Sequence, residues 1–141
     1  MSKFEEKSTR IIEFLGKKED WPIWSRKFLA RAEDRDYRDF LEGIERIPSK
    51  SEYVVALQKL SPTPFDDKLI WCYKKAAKAF NELILAINGS TEAGKVAFEL
   101  VSGCETQRNP SGDASLACTR LFKKYQPKNA PSYIKLRKKF Q

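Results

Sequence analysis

A glycine-containing stretch between two apolar segments is the part of this sequence that comes closest to a known chemical motif. Residues 89–95 read Gly-Ser-Thr-Glu-Ala-Gly-Lys and match the G-x-x-x-x-G-K pattern of loops that bind nucleotide phosphates. The next residue is Val96, whereas the motif needs a Ser or Thr hydroxyl there to hold magnesium. The preceding apolar run, Leu83–Ile87, continues the spacing of a helix, and no second strand pattern could build a parallel sheet around it. We therefore predict no nucleotide and no other cofactor.

Catalytic and metal-ligating residue types are scarce elsewhere. The sequence has no histidine, which excludes Ser-His-Asp and Cys-His nucleophilic systems and zinc sites that contain histidine. Asp66 and Asp67 fall in a predicted first helical turn, where the helix dipole favours negative charge, so capping explains them better than acid–base chemistry. The three cysteines, Cys72, Cys104 and Cys118, show no C-x-x-C spacing and are expected to be reduced and mostly buried. We expect no enzyme activity, no metal and no small-molecule substrate.

Charge is distributed unevenly along the chain. The formal net charge is +8, yet residues 1–113 carry equal numbers of basic and acidic side chains. Residues 114–141, the basic segment, hold no acidic residue and eight basic ones, which are the candidate nucleic-acid-binding residues: Arg120, Lys123, Lys124, Lys128, Lys135, Arg137, Lys138 and Lys139. A local field of this sign attracts polyanions, with nucleic acid first among them. Ordinary solvated helix faces are the alternative interpretation, and the composition leaves both open.

A tryptophan-rich stripe predicts the first firm helix. Asp20 can cap a helix over about residues 21–35, in which Pro22 lies in the first turn, where proline is tolerated. Its apolar residues recur at helical spacing and share one face: Trp21, Trp24, Phe28 and Ala32. Two tryptophans on one short face bury a large apolar area, so this helix must dock against others.

The strongest helical pattern begins after Pro62. Thr63-Pro64-Phe65-Asp66 is a T-x-x-D capping signature with proline at the first helical position. The apolar residues that follow alternate between spacings of four and three, the seam of a helix packed along its length: Leu69, Tyr73, Ala76, Phe80, Leu83 and Ile87. Trp71 lies off this seam and is predicted to be exposed.

Shorter helices are predicted on both sides of the long one. One covers about residues 37–42 and one begins at Ser51, while two later helices are capped by Ser90 and Asp113. The residues expected to face inward on these last two are Ala93, Val96, Ala97, Leu100 and Val101, then Ala114, Ala117, Leu121 and Tyr125. No strand pattern competes, so the sequence predicts an all-α fold, a compact multi-helix bundle.

The length of 141 residues suits one domain with a sizeable core. We divide the chain into a flexible N-terminal arm at 1–19, a helical domain at 20–126, and the basic start of a following helix at 127–141. The charged N-terminus is unlike a secretory signal, and the apolar runs fall short of a membrane span. We therefore expect a cytoplasmic protein with no membrane partner.

Taken in order, these segments resemble the Gag protein of copia-type long-terminal-repeat retrotransposons. The resemblance covers nearly the whole chain from residue 11 onward. The matching pieces are Phe14-Leu15-Gly16, Trp21-Pro22-x-Trp24-Ser25-x-Lys27-Phe28-x-Ala30-x-Ala32, Tyr37-x-Asp39-x-Leu41-x-Gly43, Asn81-Glu82-Leu83-Ile84-Leu85, Ser90-Thr91-x-Ala93-Gly94-Lys95-Val96-Ala97-Phe98, Gly112-Asp113-Ala114, Tyr125-x-Pro127, Ala130-Pro131-Ser132 and Leu136-x-x-x-Phe140.

The resemblance implies an all-helical domain like the amino-terminal domain of retroviral capsid proteins, and residues 127–141 would begin a second capsid domain. Such proteins assemble into particles around element RNA and catalyse no reaction. The sequence departs from the family at Cys118, where tryptophan is usual, so the helix there is expected to pack less tightly. The expected function is a self-assembling capsid-like protein whose partners are copies of itself and element RNA. The alternative is a small helical nucleic-acid-binding protein that uses the basic segment.

Overall fold

The computed structural model describes residues 11–127, and these form six α-helices preceded by a short 3-10 turn, Lys18–Asp20. The helices are α1 (Trp21–Asp34), α2 (Arg38–Leu41), α3 (Lys50–Gln58), α4 (Pro64–Ala86), α5 (Glu92–Ser102) and α6 (Ala114–Tyr125). Over the described range the structure contains no strand, and its only bridge joins Phe14 to Ile87. The all-α prediction is confirmed.

Two of the predicted helix starts have the predicted caps. At α4 the Thr63 hydroxyl accepts a hydrogen bond from the Asp66 amide, and the Asp66 carboxylate accepts one from the Thr63 amide. At α6 the Asp113 carboxylate accepts a bond from the Leu116 amide at 3.0 Å. These side chains satisfy amide groups that have no partner within their own helix.

Two other helix starts differ from the prediction by one residue. Helix α3 begins at Lys50, one residue before the predicted start at Ser51, because Ser49 caps it by forming a reciprocal capping box with Glu52. Helix α5 is capped by Thr91, not Ser90, since the Thr91 hydroxyl accepts a hydrogen bond from the Gly94 amide at 3.0 Å. Both corrections follow from which side-chain oxygen reaches the third residue of the helix.

The long helix α4 is the centre of the bundle and packs against α2, α3, α5 and α6. Every residue of its predicted seam except the half-buried Leu69 is buried. Trp71 is 47% exposed, as its position off the seam predicted. Burial of this continuous apolar face against the neighbouring helices stabilises α4.

The segment before α1 differs from the flexible arm predicted at 1–19. Phe14 is buried, with its ring centroid 5.4 Å from that of Trp21 and 5.0 Å from that of Tyr125. Its backbone is also fixed, because its amide donates to the Ala86 carbonyl and its carbonyl accepts from the Asn88 amide. Residues 1–10 of that arm, and residues 128–141, lie outside the described range. The division of the chain into domains stays a prediction.

The inward faces of the last two helices are only partly as predicted. On α6 all four predicted residues are buried. On α5 Ala97 and Val101 are buried, but Val96 is 45% exposed and its assignment to the core is wrong. The buried residues of α5 are Gly94, Ala97 and Val101, which are three and four positions apart and share one face. Val96 directly precedes Ala97, so its side chain points in a different direction around the helix.

Candidate nucleic-acid interface

Three of the eight predicted nucleic-acid-binding residues lie within the described range, all on α6. Arg120, Lys123 and Lys124 are exposed and share one face of the helix, because they are three and four residues apart. The Arg120 guanidinium donates a hydrogen bond to the Cys104 sulfur at 3.4 Å, and the Lys124 ammonium lies 5.7 Å from the Tyr125 ring centroid.

The other five predicted residues, Lys128, Lys135, Arg137, Lys138 and Lys139, lie outside the described residues. Lys123 and Lys124 occupy the last turn of α6, where positive charge is favoured by the helix dipole. Their position therefore fits both interpretations of the basic segment, the polyanion-binding one and the one in which they stabilise the helix end.

A second basic surface lies between α3, α4 and the loop before α6, and we call it the lysine groove. It has a volume of about 530 Å³, and its polar and aromatic lining residues are Lys50, Tyr53, Tyr73, Lys74, Lys78, Asn81, Glu82 and Ser111. The rings of Tyr53 and Tyr73 are stacked at 4.1 Å, and the Lys50 ammonium lies 5.7 Å from one centroid and 5.8 Å from the other.

The lysine groove was not predicted from the sequence. Tyr53 and Tyr73 each fitted the apolar face of their own helix, and nothing in the sequence showed that α3 would stack one ring on the other. The sequence feature that could have indicated a basic surface is the pair Lys74 and Lys78. They are four residues apart on α4, and no acidic residue precedes Lys74 at the same spacing.

A buried ion pair lies beside the groove. Glu82 accepts hydrogen bonds from the Arg31 guanidinium at 2.9 and 3.2 Å and a further bond from the Tyr37 hydroxyl. Burial alone would raise the pKa of Glu82, but the hydrogen bonds from Arg31 and Tyr37 outweigh it and hold the pKa below its ordinary value. Burial, together with the bond to Glu82, raises the pKa of Tyr37. Glu82 is thus ionised and already engaged, although it also lines the groove.

The Gly89–Lys95 stretch serves as a packing junction. The apolar residues before it belong to the end of α4, as predicted, and not to a strand. A Cβ atom at Gly94 would collide with the Asn88 carbonyl oxygen, and one at Gly16, where φ is +85°, would collide with the Ala93 carbonyl. The two glycines therefore allow the backbone of neighbouring segments to approach the first turn of α5.

Cysteine and metal chemistry gives no further candidate. Cys72, Cys104 and Cys118 are unbridged and buried, as predicted, and burial raises the pKa of the Cys72 and Cys104 thiols. Within residues 11–127, no group of three or more His, Cys, Asp or Glu side chains could hold a metal ion. In the same range, no helix combines the length and apolar character that crossing a bilayer requires.

Comparison with known proteins gives no relative: the chain matches no protein-family model, no curated protein and no solved structure.

Proposed function

We propose that this chain is a structural, non-catalytic protein like the Gag protein of copia-type retrotransposons, which assembles with copies of itself in the cytoplasm and contacts element RNA. The resemblance of its ordered segments supports the class of protein. The observation that carries the proposal of self-assembly is an exposed apolar surface at the turn between α3 and α4.

We call this surface the hairpin tip, and it consists of Leu57, Leu60 and Phe65. Leu57 is 51% exposed, Phe65 is 70% exposed, and Leu60 is fully exposed. Single exposed apolar residues are common, but these three large ones lie within nine residues around one turn, and clustered exposed apolar residues mark protein contacts. The hairpin tip is therefore the surface that a second copy would cover.

The turn that carries the hairpin tip is held in place before any partner binds. The Lys59 ammonium lies 2.8 Å from the Asp66 carboxylate, which also caps α4 through Thr63. The Lys59 hydrogen bond, followed by that of the Thr63 amide, lowers the pKa of Asp66 to about 2, so the Asp66 carboxylate is ionised at neutral pH. A surface that is already ordered loses less conformational entropy when it binds.

A recess beside Phe65 offers a complementary shape. It has a volume of about 190 Å³, and its uncharged lining consists of Pro48, Phe65, Leu69 and Cys72. An apolar side chain from the hairpin tip of one copy can occupy the recess of the next copy. Phe65 belongs to both the hairpin tip and the recess, so the contact joins overlapping surfaces of two copies and can be made reciprocally within a pair.

Light scattering over a range of protein concentrations tests this contact. We expect the average mass of the wild-type chain to rise with concentration, and the Leu60→Ser/Phe65→Ser variant to stay closer to the monomer mass. Val96→Ser is the matched control, because Val96 is an exposed apolar residue on another helix. Equal association by all three proteins would show that the hairpin tip is not the assembly surface.

A second candidate function is nucleic-acid binding by the basic segment without assembly. The exposure of Arg120, Lys123 and Lys124 on one face of α6 favours it. Binding through the phosphate backbone would be independent of sequence, and each Lys or Arg removed from a phosphate would reduce the slope of log affinity against log salt by about 0.7 unit on a single strand.

Charge reversal in the basic segment tests this candidate. The changed residues are Arg120, Lys123, Lys124, Lys135, Lys138 and Lys139, each replaced by Glu. We expect loss of RNA retention with unchanged helicity by circular dichroism. Retention of RNA at the wild-type level would exclude the basic segment as the RNA-binding site.

A further inference from the structure

We propose that the lysine groove binds the phosphodiester backbone of single-stranded RNA. The lining residues of the groove all precede the basic segment in the sequence, and the proposal depends neither on that segment nor on self-assembly. It rests on the charge of the groove, on its polar lining and on its shape.

The charge of the groove is not balanced by the protein. Across the part of the chain that the structure describes, Lys50, Lys74 and Lys78 make no ion pair. The one carboxylate in the lining, that of Glu82, is already held by Arg31. Three lysines around one concave surface therefore present a positive field that an anionic ligand would neutralise.

The arrangement of the lysines suits a chain of phosphates. Lys74 and Lys78 are one helical turn apart on α4 and repel each other, which is unfavourable for the folded protein unless an anion lies between them. They are separated by about 6 Å along the helix axis, an interval close to that between successive phosphates of an extended single strand. Lys50, the first residue of α3, also lines the groove.

The uncharged lining supplies the remaining contacts. Asn81 and Ser111 carry the amide and hydroxyl groups that commonly bind phosphate and sugar oxygens. The Tyr73 hydroxyl lies 3.3 Å from the Ser111 hydroxyl, so a hydrogen bond links α4 to the loop before α6. The stacked rings of Tyr53 and Tyr73 fix α3 against α4. The groove is thus held open by contacts that exist before a ligand arrives.

The chemistry favours nucleic acid over an acidic protein partner. Lysine is depleted in protein–protein interfaces, whereas lysine contacts to phosphates supply much of the affinity for nucleic acids. A positively charged groove is also the usual surface for a single strand, because the groove follows one backbone.

The experiment measures the affinity of the full chain for a labelled oligouridylate as a function of salt concentration. The variant is Lys50→Gln/Lys74→Gln/Lys78→Gln. Without these three ammonium groups beside the phosphates, the slope of log affinity against log salt should fall by about two units, and binding should weaken roughly a hundredfold at about 0.1 M salt. The matched control, Lys17→Gln/Lys27→Gln/Lys95→Gln, removes the same charge from exposed lysines outside the groove and should leave the slope close to that of the wild type.

A second variant controls for the case in which the triple variant fails to fold. Lys74→Gln/Lys78→Gln leaves Lys50 on the tyrosine rings and should reduce the slope by about 1.4 units. A wild-type slope in both groove variants, or an equal reduction in the control, would overturn the proposal. Polyglutamate is a further probe: binding to the groove as strong as that of the oligouridylate would contradict the assignment to nucleic acid and indicate an acidic protein partner.

Discussion

Replacing Arg31 by Met tests the buried ion pair that joins α1 to α4. Arg31 and Glu82 have side chains that are only 14% and 9% exposed, and they are joined by two hydrogen bonds. The substitution keeps most of the apolar stem of the side chain but leaves the Glu82 carboxylate buried with only the Tyr37 hydroxyl as its described partner. Removing one member of a buried pair costs about 3–5 kcal/mol, and the slight exposure of both groups places our expectation near about 3 kcal/mol.

The pH dependence of this loss follows from the pKa of Glu82. In the wild type the folded pKa lies below the unfolded value, so the stability that Glu82 contributes is present above the unfolded value and is lost as the pH falls through the folded one. Without Arg31, burial dominates and raises the folded pKa of Glu82. The contribution then reverses its sign, and stability is lost as the pH rises through the new folded pKa. The difference between variant and wild type should therefore grow with pH above about 4.5.

Urea unfolding at a series of pH values measures both effects. Arg46→Met is the matched control, since Arg46 makes an equally close pair with Glu52 but is 60% exposed. An exposed pair of this kind contributes about 0–1 kcal/mol. A loss for Arg31→Met as small as that for the control, or a loss that does not change with pH, would refute the assignment of a buried, ionised pair.

The remaining predictions concern packing and charge. Trp21 is 1% exposed, and Trp21→Ala should lower the unfolding free energy by about 3–5 kcal/mol. Trp71 is 47% exposed, and Trp71→Ala should lower the unfolding free energy by about half of that or less. Equal losses in urea unfolding would contradict the assigned positions. Gly94→Ala should destabilise by about 1–3 kcal/mol through its backbone collision, measured by thermal unfolding, whereas an unchanged midpoint would exclude close packing there. Lys74→Gln/Lys78→Gln should leave stability unchanged or raise it by about 0.2–0.5 kcal/mol in the absence of RNA, and a marked loss would give these lysines a structural role.

Much of the fold could be predicted because its helices follow local rules. The Thr63–Asp66 capping box and the seam of α4 depend on residues three and four positions apart, and both were predicted from spacing alone. The burial of Trp21 and the exposure of Trp71 followed from the same periodicity. These features need no knowledge of which helices become neighbours.

The errors concern contacts between segments that are distant in the sequence. Phe14 lies in a short segment without helical periodicity, so its burial against Trp21 and Tyr125 could not be predicted from its neighbours. Val96 fitted the apolar face of α5, but the close approach at Gly94 sets which face turns inward. Such contacts depend on tertiary packing, which overrides local preference.

The candidate sites show the same limit. The basic segment could be identified from composition, because its eight charges fall in one stretch of the sequence that has no acid. The lysine groove could not, because Lys50 and Lys74 come together only when α3 packs on α4. The ion pair of Arg31 with Glu82 joins residues that are 51 positions apart and had no local signal.

Sedimentation equilibrium of the 141-residue wild-type chain tests self-association most directly. The proposed contact between the hairpin tip and the recess predicts an average mass above that of the monomer, which rises with protein concentration and is present without RNA. A mass equal to that of the monomer at every concentration, with and without RNA, would contradict it.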